Sequence, residues 1–225
     1  MSDVAAAAER VRDRIAAAGG DPALVRVIAV TKGHPAGAAL AALDAGLVDL
    51  GESYAQELVP KADAVADAGG RPRWHFIGRL QRNKVRQIAH AVGLWQSVDR
   101  VNLAAEIALR QPGAAILVQV ALDDGSRGGA APELVPGLVA AARDLGLEVR
   151  GLMAVGPNGP PEAAAPGFAR VVDLADRLGL PERSMGMSGD LEVAVRAGTT
   201  MVRIGTDLFG ARSALPVPEA PPAVE

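Results

Sequence analysis

The chain has 225 residues, of which 49% are hydrophobic, 22% charged and 3% aromatic, with a formal net charge of −3. That is globular composition, long enough for one large domain or two small ones. Cysteine is absent, which excludes disulfides, thiolate metal sites and cysteine nucleophiles. The basic residues are scattered instead of forming a phosphate-backbone patch, and no apolar run approaches bilayer length, so neither nucleic acid nor membrane is expected as a partner.

The N-terminal segment, MSDVAAAAERVRDRIAAAGG, interrupts its alanines with charges. It reads as a helix over Ser2–Ala18 and not as a secretory signal, so a cytoplasmic location is expected. Apolar runs then recur, predicting strands at Val25–Val30, Val48–Gly51, Trp74–Gly78, Trp95–Val98, Ala115–Ala121, Val149–Val155, Ser184–Ser188 and Met201–Gly205. Several are β-branched or wholly apolar, as parallel strands buried on both faces must be. Amphipathic stretches between them predict helices over Pro35–Ala45, Ala55–Ala68, Asn83–Ala91, Val101–Arg110, Pro132–Leu145, Glu162–Leu178 and Leu191–Ala197. Pro35 and Pro132 suit first turns, and Gly46, Gly146, Gly179 and Gly198 follow helical runs as stops.

Strict alternation places the chain in the α/β class, and eight strands predict a single (β/α)8 barrel with an extra N-terminal helix. An open doubly wound sheet usually carries a Gly-rich phosphate loop in its first βα turn; here that turn reads AVTKGHP, with one Gly. The expected domain is 1–212, followed by a Pro-rich tail over 213–225 (SALPVPEAPPAVE) that is expected to be disordered.

In a barrel, chemistry sits at the C-terminal strand ends and in the loops beyond them. That rule selects Lys32, Gly51-Glu52-Ser53 with Tyr54, His75 with Gly78, Met153, Ser188-Gly189-Asp190 and Arg203-Ile204-Gly205-Thr206. Lysine is scarce: 20 of the 23 basic residues are Arg, and Lys32, Lys61 and Lys84 are the only lysines. Arg replaces Lys at most solvated positions but not where a titratable amine is needed. Lys32 follows the run VRVIAV directly, and a desolvated lysine there is suited to forming a Schiff base with an aldehyde; a salt-bridged structural lysine is the other reading. SMGMSGD and VRIGT end the last two strands, where barrels often bind phosphate. Ser188 and Thr206 supply hydroxyls, Gly189 and Gly205 allow close backbone approach, and Asp190 reads as the N-cap of the next helix. Arg203 needs an acceptor, either a carboxylate or a ligand ring nitrogen. His75 taken alone reads as a satisfied core histidine, the three scattered histidines form no metal constellation, and Lys84 reads as a solvated loop lysine.

An imine-forming lysine, a phosphate cup and an arginine between them fit pyridoxal 5'-phosphate. The segments AVTK, GESYAQE, WHFIGRLQRNK, RGLMAVG, SMGMSGD and VRIGTDLFGAR follow in order over about residues 8–212, and together they resemble the pyridoxal phosphate homeostasis protein family, which is similar to the N-terminal barrel of alanine racemase. The resemblance implies a fold type III barrel with Lys32 as Schiff-base lysine, Ser188, Gly205 and Thr206 on the phosphate, and Arg203 on the pyridine nitrogen. The candidate cofactor-binding set is Lys32, Ser53, His75, Met153, Ser188, Gly189, Arg203, Gly205 and Thr206. The implied role is buffering or delivering pyridoxal phosphate, with effects on amino-acid and keto-acid pools, pyridoxal phosphate-dependent apo-enzymes as partners and no established turnover. Three departures stand out: Ser53 where the family often has Asn, His34 where a second lysine is common, and Ser126-Arg127-Gly128-Gly129 in place of Ser-Lys-x-Gly.

The alternative is an amino-acid racemase of the alanine racemase type. An Arg partner keeps its proton and does not protonate the ring nitrogen, so carbanion intermediates gain less stabilisation. Racemisation also needs a second acid–base group opposite Lys32, and the only tyrosine, Tyr54, lies in the second βα loop. A phosphosugar isomerase or lyase barrel using Lys32 without this cofactor is a third reading. The resemblance covers no racemase-type second domain, so a monomer is expected.

Overall fold

The computed structural model describes residues 3–123 and 127–211. Runs such as RVIAV and AILVQV place apolar side chains on both faces of a strand, so each strand must be covered on both sides. A closed parallel barrel does this. It comprises β1 (Arg26–Val30), β2 (Asp49–Glu52), β3 (Arg73–Phe76), β4 (Val92–Val98), β5 (Ala115–Val120), β6 (Glu148–Ala154), β7 (Glu182–Ser184) and β8 (Met201–Ile204), in chain order. β1 closes the ring on β8, with Arg26 opposite Met201 and Ala29 opposite Ile204, so no strand edge is exposed.

The helices are α1 (Asp3–Ala17), α2 (Ala36–Asp44), α3 (Ala55–Asp67), α4 (Val85–Ile88), α5 (Val101–Arg110), α6 (Val135–Asp144), α7 (Ala165–Arg177), α8 (Leu191–Ala197) and α9 (Thr206–Phe209). The extra helix α1 buries Ala7, Ala8, Val11 and Ile15 and packs against α2, α8 and α9. Alternation along the strands divides the core in two. Ala29, Ile116, Leu152 and Val202 join the large cluster with the helices, while their neighbours Ile28, Leu117, Met153 and Met201 pack inside the barrel.

Local structure departs from the sequence expectation at the loops. The third helix shrinks to a 3-10 turn, Arg82–Lys84, running into the single turn of α4. β4 begins three residues earlier than expected, at Val92, and β7 ends at Ser184, although Met185 and Gly186 still exchange backbone hydrogen bonds with Met201 and Arg203 of β8. Asp190 precedes α8 but makes no side-chain cap; its Oδ1 instead accepts the Met187 N–H at 2.6 Å and folds the preceding loop. Ser126 and the tail 213–225 lie outside the described residues. Among the described residues, no helix is long and apolar enough to cross a membrane, and no group of three potential metal ligands occurs.

Candidate cofactor site

A cavity of about 450 Å³ opens at the C-terminal ends of the strands, with Val30, Ser53, Ile77, Val155 and Arg203 in its walls. Lys32, Ser188, Gly189, Gly205 and Thr206 line the same cavity, together with His34 and Arg127. Seven of the nine residues expected from the sequence therefore meet in one place. His75 and Met153 do not. Both point into the barrel interior below the mouth, His75 fully buried and Met153 at 1% exposure in the apolar layer with Ile28 and Leu117. The reason is depth: Ile77 and Val155, two residues further along the same faces, take the places in the cavity wall and leave His75 and Met153 one layer below.

The loop that carries Lys32 is fixed from beneath. The Thr31 hydroxyl donates to Glu52 Oε1 at 2.6 Å. Lys61 Nζ donates to the Thr31 carbonyl at 2.7 Å and to Glu52 Oε1 at 2.5 Å, and the Gly33 N–H donates to Glu57 Oε2 at 2.8 Å. Gly33 takes φ +72°, a left-handed conformation that lets the chain turn straight after Lys32. Glu52 is fully buried; burial raises its carboxyl pKa, and Lys61 and Thr31 oppose that rise. The three lysines thus separate: Lys32 in the cavity, Lys61 buried in an ion pair under its loop, and Lys84 elsewhere. The sequence placed Glu52 near the mouth and singled out Lys61 as a scarce lysine, but it did not show that these two and Glu57 support the Lys32 loop.

Beside it, two loops form a cup, because β8 pairs with β1 and is followed by one of them. The Met187–Asp190 turn presents Ser188 and Gly189, and the turn after β8 presents Gly205 and Thr206. A Cβ placed on Gly189 meets no atom within 4 Å, so open space lies against that backbone. Arg14 from α1 joins the two loops. Its Nη2 donates to the Ser188 carbonyl at 3.0 Å, its Nε to Glu192 at 2.7 Å, and its Nη1 to Asp207. The Arg14 hydrogen bond holds the Glu192 carboxyl below its ordinary pKa. Nothing in the sequence marked Arg14, because its partners lie more than 170 residues away. Arg14→Ala is expected to weaken binding of a phosphate-bearing ligand about five-fold, roughly 1 kcal/mol, with far-UV circular dichroism unchanged. Isothermal titration checks this.

Arg203, on β8, lines the same cavity at 4% exposure. Its Nη1 donates to the Ser184 carbonyl at 2.7 Å and the Ser184 hydroxyl at 2.8 Å, and its Nη2 donates to the Ala154 carbonyl at 2.7 Å. Among the described residues it forms no ion pair, although the charge of Asp190 acts on it. Burial lowers its pKa to about 10, which leaves it charged at neutral pH. Gly78 brings the third loop onto the second: a Cβ there would stand 2.1 Å from the Ser53 carbonyl oxygen, and this contact sets Ser53 in the cavity wall. Ser53 also borders a second, more open cavity with Tyr54, Arg79, Lys84 and Arg100. The only tyrosine is thus found in that cavity's lining and not in the lining of the cavity that holds Lys32.

A closed barrel whose mouth joins a lysine at the first strand end to a hydroxyl- and glycine-lined cup at the last two defines a cofactor barrel of the alanine racemase type. The family model "Alanine racemase, N-terminal domain" matches residues 2–213. The pyridoxal phosphate homeostasis protein of Pseudomonas aeruginosa is 44% identical over 220 residues, covering 93% of this chain and 94% of that protein. That of Deinococcus radiodurans is 41% identical over 209 residues, covering 88% and 95%. The structure of PipY from Synechococcus elongatus with pyridoxal phosphate bound superposes with a TM-score of 0.76 at 32% identity, covering 89% of this chain and all of that one. The chain belongs to the pyridoxal phosphate homeostasis protein family.

Proposed function

We propose that this chain binds pyridoxal 5'-phosphate on Lys32 and serves to buffer it and hand it to pyridoxal phosphate-dependent apo-enzymes, as a cytoplasmic monomer. When bound, this cofactor supplies an aldehyde that condenses with a primary amine and a ring that withdraws electrons. The observation that carries the reading is the convergence of Lys32 with Ser188, Gly189, Gly205 and Thr206 on one cavity of about 450 Å³, a volume in the usual range for small-molecule sites. Lys32 provides the amine. The Ser188 and Thr206 hydroxyls and the backbone at Gly189 and Gly205 would hold the phosphate. Arg203 would donate to the ring nitrogen, and Ile77, Val155 and Met187 supply apolar wall.

Arg203 favours holding over turnover. It keeps its own proton at neutral pH and therefore leaves a ring nitrogen as acceptor, which weakens the ring's electron withdrawal. Racemase action further requires a proton donor on the face opposite Lys32. Tyr54 lines the neighbouring cavity, and His34 stands on the same loop as Lys32.

The test combines two measurements on the purified protein loaded with pyridoxal phosphate. A visible band that disappears on borohydride treatment, leaving pyridoxyl on the Lys32 peptide, is the expected result. Exchange of the alanine α-proton in deuterated water should stay at the level of free cofactor. A colourless protein after loading would overturn cofactor binding, and saturable exchange lost with Lys32 would replace the carrier reading by the racemase.

A further inference from the structure

The barrel interior contains a continuous row of polar side chains beneath the cavity. Arg203 Nη1 reaches Ser184 Oγ at 2.8 Å, Ser184 Oγ reaches Gln96 Oε1 at 2.7 Å, and Gln96 Nε2 reaches His75 Nδ1 at 2.7 Å. His75 Nε2 reaches Asp49 Oδ1 at 2.8 Å. Five strands contribute one member each: β8, β7, β4, β3 and β2. All five side chains are buried, and Ser184, Gln96 and His75 are fully so. Burying this much polarity is costly unless every group is paired, and the apolar interior around the row consists of Ile28, Leu94, Ala115, Leu117, Met153 and Met201.

The chemistry of each member fixes the next. Asp49 is held below the usual carboxylate range: burial works against ionisation, but the His75 hydrogen bond and nearby Arg73 and Arg26 outweigh it. An ionised carboxylate only accepts, so the proton of His75 sits on Nε2 and Nδ1 is an acceptor. The Gln96 amide must then turn its NH2 to His75 and its oxygen to Ser184. The Ser184 hydroxyl donates to that oxygen, which leaves its lone pairs for Arg203. Every donor in the row points from the buried cation toward the buried anion. Each neutral member offers its negative end to Arg203 and its positive end to Asp49, so the dipoles reinforce one another.

We infer that Gln96 and His75 are positioning residues that orient Arg203 toward the cofactor ring, acting through Ser184. The inference rests on the placement of Arg203 proposed above, and it deepens that reading: the ring contact is set from the opposite end of the barrel by Asp49. None of the three intermediaries lines the cavity.

The test uses the full chain with and without pyridoxal phosphate. Gln96→Met keeps the volume and removes both hydrogen bonds. In the apo protein it is expected to shift the 15N–1H resonances of the Arg203 guanidinium, assigned through their loss in Arg203→Lys. In the loaded protein it should move the visible band and weaken binding by about three- to ten-fold, the scale of one lost hydrogen bond. Ser184→Ala should give the same changes, and the double variant should add little, because both break one row. Leu94→Met alters the same interior without touching the row and should leave Arg203 and the band as in the wild type. If Gln96→Met does not fold, Ser184→Ala and His75→Asn carry the comparison. Unchanged Arg203 resonances in folded Gln96→Met, or fully additive effects in the double variant, overturn the inference. Shifted resonances in a protein that never binds pyridoxal phosphate support the row and overturn the functional reading instead.

Discussion

Lys32→Ala is expected to leave the protein folded and without the visible band that the wild type develops with pyridoxal phosphate. Lys32 is partly exposed at the cavity wall, directly after Thr31, and the contacts that shape its loop are made by its neighbours. The Thr31 carbonyl and hydroxyl and the Gly33 N–H bind Lys61, Glu52 and Glu57 and remain in the variant. Thermal stability should therefore change by less than about 1 kcal/mol, as for other substitutions outside the packed core. The cofactor anchor is lost entirely. Neither remaining lysine can replace it: Lys61 is buried in its ion pair and Lys84 lines the other cavity. The phosphate cup and Arg203 are untouched, so the variant should retain non-covalent affinity, weaker by at least about ten-fold, roughly 1.4 kcal/mol. Absorption, borohydride trapping with peptide mapping, and equilibrium dialysis read these three quantities. A variant that still traps pyridoxyl at wild-type stoichiometry would remove Lys32 from the proposed role.

Lys61→Met should be the most destabilising of the substitutions considered. It removes the cation that sits 2.5 Å from Glu52 Oε1 while leaving that carboxyl fully buried, and it also strips the donor from the Thr31 carbonyl. Breaking one partner of a buried pair costs about 3–5 kcal/mol, because the other charge is left uncompensated. The pH dependence has a definite sign. Burial already raises the Glu52 pKa in the wild type, and Lys61 is the largest opposing influence, so the variant raises it further. A carboxyl whose folded pKa lies above its unfolded value penalises the folded state once it must ionise. The deficit relative to wild type should therefore be smallest below about pH 4, where unfolded glutamate is also protonated, and should grow as the pH rises through the raised folded value. Urea denaturation at acid and neutral pH measures it. A deficit that shrinks toward neutral pH would show that Glu52 is not the group left exposed to the loss. Because Thr31 adjoins Lys32, the same variant should also bind pyridoxal phosphate less tightly.

The two substitutions mark what could be read from the chain and what could not. Lys32 was visible because a lysine at the end of an apolar strand is rare in a chain with only three. The cup was visible because small and hydroxylic residues recur at the ends of β7 and β8, and the barrel rule directs attention there. Barrel class itself followed from alternation, since helical and strand periodicity are properties of neighbouring residues. His75 and Met153 were placed at the mouth by proximity to strand ends, and the structure puts them inside. A step of two positions keeps the face but changes the layer, so an uncertain strand end is enough to confuse His75 and Met153 with Ile77 and Val155, which line the cavity above them.

The sequence by itself therefore determined the order of strands and helices, the lysine proposed as the anchor and the segments that meet it at the cavity. Tertiary structure decided which polar residues support them. Arg14 meets Ser188 and Glu192 because α1 packs against α8 and α9, and Glu52 meets Lys61 because α3 folds back beneath the first loop. The row from Asp49 to Arg203 exists only because closure sets five strands around one axis in a fixed register. Local periodicity carries no information about such distances; the meeting of charged and polar groups far apart in the chain is fixed by barrel closure and by the cost of burying any of them unpaired.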